Sequence, residues 1–179
     1  MSFGMPVRRS PNCATVSYSL GLTMGVPIDV TVAAVIEQDD KFLIIEERVW
    51  ERRVYNQPAG HIEPGESLQA AVIRETFEET GYQFSPTDLI GIFLWQRPKR
   101  TYLRLAFSGV SRAPSSTPTL DAGIIATHWL SRATLEQRSS MLRSPMVMQC
   151  IDNYQAGISY PLDAITTTLA NFDTIANIA

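Results

Sequence analysis

The stretch Gly60-His-Ile-Glu-Pro-Gly-Glu66-Ser-Leu-Gln-Ala-Ala-Val-Ile-Arg74-Glu75-Thr-Phe-Glu78-Glu79-Thr-Gly81-Tyr82 decides how this chain is read. It begins as a glycine-bounded loop that turns at Pro64-Gly65 and can bring backbone groups close to a bound ion. A helix is predicted from Ser67 to Thr80, with Gly81 where a left-handed C-cap belongs. At about 100° per residue, Leu68, Ala71 and Val72 share one narrow arc. Glu75, Glu78 and Glu79 continue that same arc over roughly 120°. An ordinary amphipathic helix sets its acids opposite the apolar stripe; here the stripe becomes a carboxylate cluster.

Such a cluster is unfavourable on its own. Like charges at i,i+3 and i,i+4 repel by a few tenths of a kcal/mol per pair, and acids near a helix C-terminus oppose its dipole. Arg74 offsets one negative charge. A divalent cation would neutralise the rest, and carboxylate oxygens without thiols or paired histidines suit Mg²⁺ or Mn²⁺ rather than zinc. A solvated acidic face without a ligand is the alternative.

The remaining composition sets the frame. The chain has 179 residues, 45% of them apolar and 18% charged, which fits one globular domain with a real core. Fifteen Lys and Arg against eighteen Asp and Glu give a net charge of -3, too acidic for a protein that works on a nucleic-acid polymer. Cys13 and Cys150 form no disulfide framework and no four-ligand zinc site, so a reducing cytoplasm is the expected setting. The uncharged run from Ser10 to Ile28 is broken by Pro11, Gly21, Gly25 and Pro27 and predicts neither a membrane span nor a secretory signal. Residues 1–23 are expected to form a flexible extension, with Met24 a candidate start, and residues 24–179 a single domain.

Outside the loop and helix, Ile28 to Ile36 reads as a strand and Lys41 to Glu46 as its hairpin partner across Gln38-Asp39-Asp40. Arg48 to Asn56 reads as a charged loop. Leu89 to Gln96 and Tyr102 to Gly109 read as strands joined by the basic turn Arg97 to Arg100. Ala113 to Thr119 reads as a loop, Ile124 to Leu130 as a strand, and Ser131 as the cap of a short helix. Ser144-Pro145 opens a final helix, and the chain beyond Pro161 reads as helix or frayed tail. There is no internal repeat. Strands before, between and after helices imply a mixed sheet with helices packed on it.

Gly60, five residues, Glu66, seven residues, then Arg74-Glu75-Thr76-Phe77-Glu78-Glu79-Thr80-Gly81-Tyr82 resembles the Nudix signature, G-x5-E-x7-R-E-U-x-E-E-x-G-U with U aliphatic. Every Gly, Glu and Arg is in place; Thr76 and Tyr82 depart at the two U positions, which concern packing. Asn56-Gln-Pro-Ala-Gly-His61, Leu94-Trp95, Leu103-Arg104, Leu142-Arg-Ser-Pro145 and Tyr160-Pro-Leu162 resemble the NudJ-type phosphatases within that family, so the likeness spans roughly residues 26 to 165.

The resemblance implies a Nudix α/β/α sandwich, with a mixed β-sheet and the signature loop–helix–loop at its edge. It implies Mg²⁺-dependent hydrolysis, with Mn²⁺ as the alternative ion. The substrates implied are nucleoside di- and triphosphates or thiamine-pathway pyrophosphates, such as hydroxymethylpyrimidine pyrophosphate and thiamine pyrophosphate, cleaved at the terminal phosphate to release orthophosphate. Carried over position by position, Glu75, Glu78 and Glu79 are metal ligands completed by the Gly60 carbonyl. Arg74 holds a catalytic carboxylate, and Glu66 supports the loop–helix junction. Glu75 and Glu78 are the catalytic acids, the general base being a signature glutamate. Some members take a base from a later loop, about six residues before a strand tryptophan; here that tryptophan is Trp129, the matching position is Gly123, and the nearest acid is Asp121. His61 reads as a structural or solvated histidine, with phosphate contact as the alternative.

For the substrate end, Tyr55, Trp95 and Tyr102 are candidates for stacking on a flat heterocycle. Arg97, Lys99, Arg100, Arg104 and Arg143 are candidates for phosphates, with Trp95 and Arg104 placed on one face by strand alternation. Sheet packing and a solvated hairpin tip are the alternatives. The partner is a small phosphoanhydride, with no membrane and no nucleic-acid polymer, in a monomer or homodimer. Competing functions are an ADP-ribose, nucleotide-sugar or dinucleotide pyrophosphatase, and a Nudix module that senses a nucleotide without cleaving it.

Overall fold

The computed structural model describes residues 26–168 together with Val16–Ser17 and Thr23–Met24. These last two pairs form β1 (Val16–Ser17) and β2 (Thr23–Met24), joined antiparallel. The rest of the expected extension, and residues 169–179, lie outside the described residues. Then follow β3 (Ile28–Val35), β4 (Glu37–Gln38), β5 (Lys41–Val49), β6 (Arg52–Asn56), β7 (Ala59–His61) and α1 (Leu68–Thr80). The second half carries β8 (Gln83–Arg97), β9 (Arg100–Arg112), β10 (Ile124–Ser131), α2 (Arg132–Gln137), α3 (Met146–Gln155) and β11 (Tyr160–Pro161).

The larger sheet runs β11-β8-β9-β3-β7, with β3 parallel to β9 and its other neighbours antiparallel. In the smaller sheet β5 pairs with β10 on one side and with β4 and β6 on the other. Period-two alternation along β3 divides the core. Val32 and Ala34 pack with Ala71 and Val72 of α1, Leu105 and Phe107. Val35 packs with Phe42, Ile44, Leu135 of α2 and Cys150 and Ile151 of α3. The strands thus lie between α1 on one side and α2 and α3 on the other, the expected mixed α/β/α arrangement.

Helix α1 begins where Ser67 accepts a hydrogen bond from the Ala70 N–H at 3.1 Å. It stops at Gly81, whose φ of 74° is left-handed and whose N–H bonds to the Phe77 carbonyl. Helix α3 follows Pro145, as the sequence suggested, without a side-chain cap.

Three expectations need correcting. Arg48 to Asn56 is a hairpin rather than a loop: Glu46 and Glu47 pair with Tyr55 and Val54, and Val54, Tyr55 and Asn56 are buried. Its tip carries Trp50 at φ 57°, so none of the usual Asn-Gly or Asp-Gly turn chemistry announces it. Strand β8 begins at Gln83 rather than Leu89, tolerating Pro86 because the ladder shifts register between Pro86 and Asp88. Beyond Pro161 the described residues form one 3-10 turn, Leu162–Ala164, and Leu162 and Ile165 pack onto the α1 side of the core.

Candidate active site

The loop that follows β7 and the helix α1 are tied by one guanidinium. Arg74 donates from Nε to Glu66 Oε2 at 3.1 Å and from Nη2 to Glu66 Oε1 at 2.8 Å. Its Nη1 donates to Glu75 Oε1 and to Glu78 Oε2, both at 2.9 Å, and Nη2 also reaches the His61 carbonyl at 3.0 Å. The planar fork matches this set as an ammonium would not. Glu66 further accepts the Glu63 N–H at 2.7 Å, and the Arg74 guanidinium holds its carboxyl below the ordinary range.

Two acids of the cluster behave differently. Burial pushes the Glu75 carboxyl up in pKa against the pull of Arg74. Burial pushes Glu79 to about 9, with the charges of Glu75, Glu47 and Asp121 adding to the rise. Glu79 Oε2 is fixed by the Ala59 N–H at 2.8 Å. Gly60 lies directly against Glu75: a Cβ there would overlap the Glu75 carboxyl. Glu78 is the most open of the acids Arg74 holds, 37% exposed at its side chain. The signature residues named from the sequence, Gly60, Glu66, Arg74, Glu75, Glu78 and Glu79, therefore meet in one place.

Two further acids join them. Asp121 comes in from the β9–β10 connection, its N–H bonded to the Glu78 carbonyl at 3.0 Å, and its charge acts on both Glu75 and Glu79. Glu47, which sequence reading missed, sits on β5 with Oε1 3.6 Å from Arg143 Nε; burial raises its pKa. The available signal was its place at the end of the apolar run Phe42 to Ile45, hidden because Arg48 and its neighbours read as a loop. Trp129 is a packing residue, its Nε1 donating to the Tyr82 hydroxyl at 3.2 Å. His61 is exposed and contributes its carbonyl to Arg74.

Among the described residues, no three His, Cys, Asp or Glu side chains converge as a ready-made metal cage; Arg74 and the Ala59 N–H each hold carboxylates of the cluster. The donor set nevertheless fits an oxygen-seeking divalent cation. Glu79 is buried and Glu75 half-buried, and desolvation raises both carboxyl pKa values, while the missing Cβ at Gly60 keeps main chain against a carboxylate.

Across from the carboxylates, the β8–β9 ladder and the start of α3 enclose a cleft of about 60 Å³ lined by Trp95, Arg97, Tyr102, Arg104, Arg143, Ser144 and Met146. Trp95 stacks on Tyr102 at 5.5 Å and 26°, with the Arg97 guanidinium 5.1 Å from the Trp95 ring centre. Arg104 is 5% exposed and donates from Nη1 to Asn56 Oδ1 and Gln57 Oε1, both at 3.3 Å. Trp95, Arg104 and Arg143 are thus brought together. Tyr55 is not, which corrects its reading as a stacking ring. It is 6% exposed, edge-on to His128 and under the guanidinium of Arg138, which donates to its hydroxyl at 2.9 Å. Arg100 is paired with Asp29 and Lys99 stays exposed at the hairpin tip. The larger cavities, of about 610 and 670 Å³, are lined by neither the carboxylates nor Arg104.

The NUDIX domain profile matches residues 27–148. "Phosphatase NudJ" of Escherichia coli (strain K12) is 39% identical over 137 residues, 76% of this chain and 89% of that protein. The protein of the same name from Shigella flexneri matches to the same extent. A NUDIX hydrolase from Nitrosomonas europaea superposes with a TM-score of 0.77 at 46% identity, covering 81% of this chain and 99% of that one. A MutT protein from Methanosarcina mazei, at 23% identity and a TM-score of 0.59 over 75% of this chain and 97% of its own, shares the fold.

Proposed function

The chain belongs to the Nudix family and is a hydrolase acting on phosphoanhydrides, and from that premise we propose that it cleaves the terminal phosphoanhydride of its substrate and releases orthophosphate. The proposed substrates are nucleoside di- and triphosphates and thiamine-pathway pyrophosphates. Hydrolases of this family use divalent metal ions, and the ion proposed here is Mg²⁺. The observation that carries the reading is the complete carboxylate set cross-braced by Arg74. A module that only bound a nucleotide would have no use for three mutually repelling glutamates. The likeness to "Phosphatase NudJ" over most of that protein's length supports the terminal cleavage.

Glu75, Glu78, Glu79 and the Gly60 carbonyl would hold the cation, which when bound neutralises phosphate oxygens and acidifies water. Everything else falls to the chain itself. Arg74 aims Glu75 and Glu78 through a single nitrogen, and Glu66 fixes Arg74 from the loop side. The Ala59 N–H orients Glu79. A signature glutamate takes the proton of the attacking water. Glu78 is favoured because it is the most open of the acids tied to Arg74 and because Arg74 engages its Oε2, leaving Oε1 for the proton. Asp121, bonded to the end of α1, is the alternative. Trp95 and Tyr102 supply an aromatic wall for a flat heterocycle, and Arg104 and Arg143 meet phosphates. The catalytic unit is proposed as one domain, residues 24–179, acting in the cytoplasm. No helix among the described residues is long and apolar enough to cross a membrane.

The test is a panel with Mg²⁺: hydroxymethylpyrimidine pyrophosphate, thiamine pyrophosphate, nucleoside di- and triphosphates, and ADP-ribose, with orthophosphate and pyrophosphate assayed separately. Orthophosphate release abolished by a chelator is the expected result. AMP from ADP-ribose, without free phosphate from any other compound, would overturn the terminal cleavage.

A further inference from the structure

The cleft beside the carboxylates has donors that the fold itself leaves unused. Arg104 Nε and Ser144 Oγ are both buried without a hydrogen-bond partner, in residues each only 5% exposed, and both residues line the same cavity of about 60 Å³. Native interiors pair such groups almost without exception. Ser144 stands just before Pro145, where serine ordinarily caps a helix, yet α3 has no side-chain cap and the residue's carbonyl alone serves the helix, accepting the Val147 N–H at 3.2 Å. Arg104 is immobilised by Asn56 and Gln57 through Nη1 and lies against the buried Cys150 thiol, while its Nε has no hydrogen-bond partner. Arg143 adds a second cation at the mouth, 3.6 Å from Glu47.

We propose that this cavity is a pocket for one tetrahedral oxyanion, the terminal phosphoryl group of the substrate, with Ser144 Oγ and Arg104 Nε as its buried donors and Arg143 as its outer cation. The inference rests on the terminal cleavage proposed above and sharpens it to a substrate class. A terminal phosphate presents three non-bridging oxygens and needs no exit on its far side. An internal phosphate of a dinucleotide is bridged on both flanks, to a sugar on one side and to the other phosphate on the other, and offers two non-bridging oxygens rather than three. The pocket opens near the proposed metal ligands, since the charges of Glu47 and Glu79 both act on Arg104.

Inorganic phosphate is the probe, titrated into the full chain with a chelator present and followed by calorimetry and by the NMR signal of the Arg104 Nε–H. Wild type is expected to bind, with a shift of that signal. Ser144→Ala is expected to weaken binding about tenfold, the loss of one hydrogen bond to a charged group. Its melting temperature should stay undiminished, because the deleted hydroxyl has no partner in the protein. The same variant should raise KM for a nucleoside triphosphate while its cation affinity stays unchanged. No phosphate binding, or equal affinity in Ser144→Ala, overturns the pocket. If that variant does not fold, an Arg104 signal that ignores phosphate in wild type overturns it equally. Orthophosphate release by an enzyme with Ser144-independent phosphate binding would sink the pocket alone. Ser144-dependent binding by a protein that releases no orthophosphate would sink the activity and leave the pocket standing.

Discussion

Gly60→Ala is the substitution that most directly probes the candidate centre. The backbone of Gly60 is held in the β3–β7 ladder opposite Val32, so it has little freedom to retreat. The added methyl would overlap the Glu75 carboxyl, and ordinary contact at about 3.5 Å requires that carboxyl to move by about 1 Å or more. That movement pulls Glu75 Oε1 away from Arg74 Nη1, now at 2.9 Å, and disturbs Glu78, which shares the same nitrogen. A displacement of that size at a reacting centre costs about a hundredfold in rate. Orthophosphate release at saturating substrate should show a kcat about a hundredfold below wild type, with weakened cation binding in calorimetry. Gly65→Ala is the control: nothing lies within 4 Å of its Cβ, and only its φ of 88° resists a side chain. It should lose about 1 kcal/mol of stability and keep its kcat. A Gly60→Ala enzyme with kcat within about threefold of wild type would refute the reasoning, since it would place Glu75 outside the machinery.

Other expectations follow from the same contacts. The Glu79 pKa of about 9 stands above the ordinary 4.5, so the cation-free native state binds an extra proton between those values and loses stability as pH rises through that window. The slope should approach about 1.4 kcal/mol per pH unit. In chelator, the melting temperature should fall from about pH 5 to about pH 8, with Mg²⁺ restoring more at the higher pH; a flat profile would contradict the burial of an uncompensated carboxyl. Arg74→Lys leaves one ammonium where a fork held three carboxylates, and kcat should drop about 10- to 100-fold with KM little changed; an unchanged kcat would argue against positioning by Arg74. Tyr55→Phe removes the 2.9 Å bond from Arg138 and should cost about 1 kcal/mol, a melting shift of about 2–4 °C. Its KM should not move, and a marked rise would return Tyr55 to the substrate site.

What the sequence disclosed was whatever local geometry determines. Three glutamates on one arc, a serine before a helix and a glycine after it are fixed by the helix repeat, and the structure places them accordingly. The alternation along β8 and β9 likewise set Trp95 opposite Tyr102 and Phe93 opposite Arg104, so Trp95 and Arg104 do share a face. Glu47 escapes the sequence and Tyr55 is misread there for a common reason. Their surroundings depend on β5 pairing with both β6 and β10, contacts across tens of residues that no local pattern announces. With Arg48 to Asn56 read as a loop, Tyr55 reads as a ring free to stack. The arrival of Asp121 at the end of α1 is non-local in the same way.

The apparent cost of the acidic arc resolves through three separate devices. Arg74 is shared by Glu66, Glu75 and Glu78 rather than neutralising one of them. Burial raises the Glu79 carboxyl to a pKa of about 9, which favours its uncharged form and lowers the repulsion along the arc. The main chain of β7 brings the Ala59 N–H to Glu79 and the bare Gly60 against Glu75. The loop, the helix and β7 are bound into one unit by these contacts, while α1 also packs Ala71 and Val72 into the core and β7 edges the larger sheet. Glu75 gains nothing for stability from its burial, and Gly60 surrenders backbone entropy that alanine would spare. Both are intelligible only as the means of keeping a carboxylate against a carbonyl-bearing strand, at the edge of the sheet where the cleft lined by Arg104 begins.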